Sequence, residues 1–179
     1  MQEKVKHVPP SVLIREACGD DLPLLFALRC NLALQSLLLT VPDALDDAAL
    51  QTWIARRQGE PGGLFRMVED AVSGEAVGFV QVAQVHRRNR NGYLGISLTE
   101  NARGRGLGQA ALRELLHVSR HELGLHKGLV EVRVDNVAAL HAHLQVGFRI
   151  IGTLSSHFID ATGAAHDVLL LEHMLEGVI

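Results

Sequence analysis

Arg103-Gly104-Arg105-Gly106-Leu107-Gly108 constrains this chain more than any other stretch. It sets three glycines and two arginines between an apolar run, 93–99, and a helix-patterned run that continues to residue 123. Glycines at a strand-to-helix junction leave backbone N–H groups uncovered, and the helix adds its own unpaired donors and the positive end of its dipole. Such a turn is suited to an anion. A pyrophosphate is the anion most worth considering, because glycine lets a bulky diphosphate approach a main chain that any side chain would keep at a distance. A glycine-rich reversal with no ligand fits the same six residues, so the surroundings must decide.

The preceding chain predicts a strand over 12–15 and a helix capped by Asp20 or Asp21, with Pro23 in its first turn, running to about residue 36. Leu24, Leu25, Leu28 and Leu32 form its expected buried face. Asp46 or Asp47 caps a second helix over 48–57, which holds the only tryptophan, Trp53. Strands over 64–69 and 76–85 join around Ser73-Gly74, and a polar turn, 86–92, leads to the strand 93–99. Beyond the loop, Leu107, Ala111, Leu115 and Val118, with Leu112 and Leu116, trace a helical stripe that stops near Leu123-Gly124. A strand over 129–134 follows, then a short helix capped by Asn136, and then strands over 149–154, with 157–159 as a continuation, and 166–174. This order predicts an α/β fold, a mixed and mostly antiparallel central sheet flanked by helices, with a crossover through the glycine-loop helix.

At 179 residues the chain suits a single domain over 11–179 behind a flexible tail, 1–10. The net charge of −3 gives no reason to expect nucleic acid or an anionic membrane as partner. The opening segment has no apolar core, so neither a signal peptide nor a membrane anchor is expected. Cys18 and Cys30 are too few for a disulfide framework and lack metal-ligand spacing, which points to the cytoplasm. Ten histidines form no convincing ligand pattern, since His141 and His143 diverge on a helix; no metal is expected.

A diphosphate at a helix N-terminus after a strand implies a nucleotide-type cofactor. A dinucleotide fold would place the loop after the first strand with an acidic ribose partner about twenty residues on. Here the loop lies past mid-chain, and Leu125-His126-Lys127-Gly128 has no acid. Gly106-Leu107-Gly108-Gln109 lacks the Lys-Ser/Thr ending of a Walker loop. The residues instead resemble the GNAT superfamily of acetyl-CoA-dependent N-acetyltransferases. Arg103, Gly106 and Gly108 fall on that family's pyrophosphate pattern. Asn136, Ala139, Gly147 and Phe148 fall on its downstream pattern of Asn, two residues, Ala, seven residues, Gly-Phe.

The resemblance implies acetyl-CoA as co-substrate and direct attack by an amine on the thioester. It implies cofactor contacts at Ile96, Leu98, Arg103, Gly104, Arg105, Gly106, Leu107, Gly108, Gln109, Asn136 and Ala139, with an N–H near Leu98 stabilising the oxyanion. His143 stands where many members have a tyrosine that protonates the leaving thiolate, and it is a competent acid only if a neighbour keeps it protonated. Glu131, beside the expected thioester, is the candidate general base, with Glu69 and Glu100 as weaker ones. The wider sequence looks like the branch acetylating spermidine, nucleotide-linked amino sugars and ribosomal-protein N-termini. A polyamine would call for carboxylates, for which Asp43, Asp46, Asp47 and Glu60 are available. An amino-sugar nucleotide would call for basic groups, for which Arg87, Arg88 and Arg90 are available. The expected acceptor is a small-molecule amine, with a peptide N-terminus, or an acetyl-CoA-binding module without turnover, as the alternatives. Sheet edges are compatible with a homodimer.

Overall fold

A computed structural model describes residues 10–175; residues 1–9 of the expected tail lie outside the described residues. Seven strands form one sheet in the order β1-β2-β3-β4-β5-β7-β6. They are β1 (Val12–Glu16), β2 (Leu64–Asp70), β3 (Ala76–His86), β4 (Asn91–Leu98), β5 (Lys127–Arg133), β6 (Arg149–Ile159) and β7 (Ala165–Met174). Every pairing is antiparallel except β4 with β5. That pair is parallel because the chain crosses over between them through α4 (Leu107–His121).

α4 covers one face. Its stripe of Leu107, Ala111, Leu112, Leu115, Leu116 and Val118 is buried against β-strand residues Val80, Val82, Leu94, Val130 and Val132, as 3.6-residue periodicity requires. The helix α5 (Val137–Gln145) sits on the same side, and its Asn136 cap accepts from Ala139 N at 3.3 Å.

The opposite face carries α1 (Leu22–Cys30), α2 (Leu32–Leu37) and α3 (Asp47–Gln58), which bury Leu25, Leu28, Leu34, Trp53 and Ile54 on Phe65, Met67 and Phe79. The single helix expected to residue 36 is therefore two. Asn31 adopts an extended backbone (ψ 91°) and its side chain accepts from Leu34 N, starting a new helix in a new direction. Leu32 falls just past that break and is exposed, while Leu34 takes the buried place. The expected Asp21 cap also differs. Its carboxylate makes no capping bond in α1 and accepts instead from both terminal nitrogens of Arg15 and from Cys18 N. Gln35, 2% exposed, locks the N-terminal helices together: its Nε2 donates to Leu28 O at 2.9 Å and its Oε1 accepts from Thr40 Oγ1 at 2.8 Å.

Candidate active site

The site begins where the sheet fails. β4 and β5 pair at three positions, Asn91 with Lys127, Gly92 with Gly128 and Tyr93 with Leu129, and then part. Thr99 N donates to Val77 O at 2.8 Å. Because main-chain groups alternate in direction along a paired strand, Ser97 and Gly95 also address β3, opposite Phe79 and Gln81. Ile96 and Leu98 thus turn their main-chain groups toward the gap. The gap opens into a cavity of about 790 Å³, within the roughly 300–1,000 Å³ typical of ligand pockets.

The glycine loop forms one end of this cavity. Gly104 (φ 71°) and Gly106 (φ 78°) both lie in the left-handed region, which lets the chain reverse between β4 and α4. Gly106 is the N-cap of α4 and no side chain caps the first turn, so that turn keeps unpaired N–H donors. Arg103, Gly104, Gly106, Gly108 and Gln109 line this end, Ile96 and Leu98 the middle, and Asn136, Ala139 and His143 the wall supplied by α5.

Two expected contact residues are placed otherwise. Arg105 points away from the cavity to Asp70, with Nη2 2.5 Å from Oδ2, so its guanidinium anchors the loop to β2. Leu107 is a core residue of α4, 2% exposed. Leu107 can offer an anion its main chain only, and the Arg105 side chain is engaged by Asp70 through one nitrogen.

His143 is buried. Its Nδ1 lies 2.7 Å from the carbonyl of Ala139, which can only accept, so Nδ1 carries a proton. The ring of Phe148 meets it edge-on with centroids 5.1 Å apart. Burial pushes its pKa below the ordinary histidine value, more than the carbonyl raises it. No acidic side chain bonds to it among the described residues, so the condition set for a proton donor is not met. At neutral pH the ring is neutral and presents a bare Nε2, an acceptor.

Glu131 is the one carboxylate on the cavity wall among the described residues. Glu69 is bound by Arg15 at 2.8 Å, and Glu100 is not on the wall. Tyr93, the only tyrosine in the chain, also lines the cavity. Burial first, and then the charge of Glu131, raise its pKa, so its phenol stays protonated. Tyr93 was legible as a strand residue only, because its relation to Glu131 depends on the pairing of β4 with β5.

The other half of the cavity was not foreseen. Arg29 and Arg57, from α1 and α3, both line it. Arg29 lies over the Trp53 ring, 5.3 Å from its centroid. Its Nη1 donates to Gln35 Oε1 at 2.6 Å. Arg57 Nε is fully buried with no hydrogen-bond partner among the described residues, and so are Trp53 Nε1, Gln81 Oε1 and Ser97 Oγ on the same wall. None of the four carboxylates expected to serve a polyamine, Asp43, Asp46, Asp47 and Glu60, lines the cavity: Asp46 caps α3 through Ala49 N and Glu60 accepts from Gln84 N, while the charges of Asp43 and Glu60 act on Arg29 and Arg57 from behind the wall. The basic turn is elsewhere too. Arg90 donates to Gly124 O, and Arg87 and Arg90 line a separate hollow of about 360 Å³. His141, exposed, reaches the cavity mouth beside His143. Among the described residues no three His, Cys, Asp or Glu side chains are grouped to hold a metal, and no helix is long and apolar enough to cross a membrane.

Known proteins share this fold. A spermidine N-acetyltransferase of Vibrio cholerae, in complex with CoA and spermine, superposes with a TM-score of 0.84 over 94% of this chain and 98% of that one, at 22% identity. The spermidine/spermine N-acetyltransferase SpeG of the same organism, with manganese ions, superposes at 0.73 over 92% and 93%, also at 22% identity. At such identity the likeness concerns the fold. In sequence the chain is similar to the L-amino acid N-acetyltransferase AaaT of Escherichia coli K12, at 28% identity over 103 residues. That match takes in 56% of this chain and 62% of the relative's length. The family described as the acetyltransferase (GNAT) domain matches residues 11–149, from β1 through the start of β6. With the split sheet, the uncapped helix behind two left-handed glycines and the Asn136-capped helix all inside that span, the chain belongs to the GNAT acetyltransferase family.

Proposed function

We propose that this chain, acting as a single domain over 11–179, is an N-acetyltransferase that moves the acetyl group of acetyl-CoA to a primary amine of a small molecule. The observation that carries this reading is one cavity joining an uncapped, glycine-flanked helix N-terminus to a gap in the sheet. The helix end suits a pyrophosphate, and the gap suits an extended, amide-bearing arm that pairs with Ile96 and Leu98 as a strand would. Asn136, its Oδ1 used by Ala139 N, retains its amide N–H₂ for that arm. The known proteins named above act, by their names, on L-amino acids and on spermidine, and both are small primary amines.

In the transfer, the amine lone pair attacks the thioester carbon, the C–S bond breaks, one proton leaves nitrogen and one is gained by sulfur. Glu131 is the proposed proton acceptor, as the sole carboxylate on the wall. Tyr93 is the proposed donor, since its phenol holds its proton at neutral pH, while the one proton of neutral His143 is held on Nδ1 by the Ala139 carbonyl. His143 serves as a hydrogen-bond acceptor against the bound arm. Two exposed thiols, Cys18 and Cys30, fit work in the cytoplasm. The open edge β6, with Ile150, Ile151 and Ile159 exposed, fits a homodimer.

Thiol release from acetyl-CoA across a panel of polyamines, amino acids, amino-sugar phosphates and peptides tests the assignment. Release with a small amine, and an acetyl group on that amine by mass spectrometry, is the expected result. Release with peptides alone would redirect the acceptor to a protein N-terminus. Tight CoA binding with no release from any amine would make the chain a binding module.

A further inference from the structure

The acceptor end of the cavity is lined by positive charge. Arg29 and Arg57 enter it from α1 and α3, with Trp53 on the same wall. Neither forms an ion pair within the described residues: the partners of Arg29 are the neutral Gln35 and Thr40, and Arg57 Nε has none. Among the described residues the single carboxylate on the wall is Glu131, which lies on β5 at the break in the sheet.

A half-buried guanidinium with no carboxylate in direct contact, and a buried N–H without a partner, are costly unless a ligand supplies the oxyanion. Evidence that Arg29 is placed rather than stray comes from Gln35. That amide is 2% exposed, bridges Leu28 O and Thr40, and spends its oxygen on Arg29 Nη1 at 2.6 Å. The Arg29 guanidinium also lies over the Trp53 ring, 5.3 Å from its centroid, a second contact that holds it there. Arg57, one turn beyond Trp53 on α3, presents an N–H with nothing to bond. Burial first, and then like charge, pull both guanidiniums below their ordinary pKa: Arg29 is repelled by Arg57 and Arg56, and Arg57 by Arg56, more than the charges of Asp43 near Arg29 and Glu60 near Arg57 offset. Both stay charged at neutral pH.

On the reading of the chain as an N-acetyltransferase, we infer that its acceptor is an amine carrying an anionic group, a carboxylate or a phosphate, held by Arg29 and Arg57 while its amino group lies toward Glu131. A fork of N–H donors suits either oxyanion, and two positive charges brought by α1 and α3 with one negative charge brought by β5 favour a molecule that carries both an anion and an amine. A polycation would meet repulsion there.

Matched pairs test this. Each α-amino acid is compared with the amine left by removing its carboxylate, glucosamine 6-phosphate with glucosamine, and spermidine is included as the polycation. Two readouts are taken: calorimetric binding to the CoA-loaded protein, and acetyl transfer. The anion-bearing member should bind and react at least tenfold better than its neutral partner. The carboxylate and phosphate arms identify which anion is preferred. Arg57→Gln and Arg29→Gln should each raise KM or Kd for that member tenfold or more, leave the neutral member nearly unchanged and leave CoA affinity intact. Arg57→Lys should recover part of the loss, and unchanged CoA affinity certifies that the variants are folded. Equal behaviour within every pair, or spermidine as the best ligand, overturns the inference. Anion-selective binding that depends on Arg57, without acetyl transfer, supports the anion site and refutes the transferase reading instead.

Discussion

A methyl group is enough to interrogate the pyrophosphate end. A Cβ at Gly106 would stand 2.7 Å from Pro10 Cγ on a backbone at φ 78°, so a substitution there disturbs the loop as well as any ligand. Gly108 is the cleaner position. Its added Cβ meets Leu98 Cδ1 at an ordinary 3.6 Å, and alanine favours a helix over glycine by about 0.5–1 kcal/mol. Gly108→Ala should therefore keep or raise thermal stability while weakening acetyl-CoA binding tenfold or more by calorimetry. Unaltered affinity would mean that no diphosphate approaches this turn. At the chemical end, Glu131→Gln should lower kcat by about 10²-fold and Tyr93→Phe by a smaller factor, both with KM for acetyl-CoA held, as expected for proton-transfer groups. His143 has a different signature. Its folded pKa lies below the ~6.5 of an unfolded histidine, so the unfolded chain takes up a proton first as pH falls. Stability should thus be fully present above about pH 7 and decline as pH drops through 6.5. His143→Gln, which keeps a polar group without a titration, should flatten that part of the stability curve measured by urea unfolding.

At the scale of elements, what was readable depended on how local the cause was. Periodicity gave α4 its buried stripe, and Asn136 and Asp46 cap α5 and α3 as their sequence positions imply. The break between α1 and α2 was missed because the apolar run 22–28 continues at 32–34, and a single Asn31 in helix-friendly surroundings carries little weight until its side chain is seen bonding Leu34 N. Asp21 shows the same limit. A helix-capping aspartate was a fair local reading, but Arg15, on a strand, claims both carboxylate oxygens. That bridge joins β1, the start of α1 and, through Glu69, β2. Arg15 holds the Asp21 pKa down to about 2 from 3.8. Its stabilisation is present above pH 4 and lost as pH falls toward 2. Arg15→Met should cost about 1–3 kcal/mol at neutral pH and reduce the acid sensitivity between pH 4 and 2, followed by circular dichroism.

For the whole molecule, the two halves of the cavity differ in legibility for a topological reason. The donor half draws on 96–143, a stretch close in sequence and rich in glycine and cap signals. The acceptor half is assembled from Arg29, Trp53, Arg57 and Glu131, whose meeting depends on the sheet order β1-β2-β3-β4-β5-β7-β6. No spacing rule brings residues about a hundred positions apart into one list. The early split between β4 and β5 has a kinetic meaning as well. If the cofactor's amide arm lies against β4, it becomes the missing rung of the ladder and one side of the chamber in which the amine must wait. Donor and acceptor should then board in a fixed sequence, acetyl-CoA first. CoA should inhibit competitively against acetyl-CoA and non-competitively against the amine. At a concentration a hundredfold above its Kd it should also stiffen the seam by about 2.7 kcal/mol, visible as slowed amide exchange along β4 and the first half of β5. The fold, on this view, is a sheet finished by its own substrate.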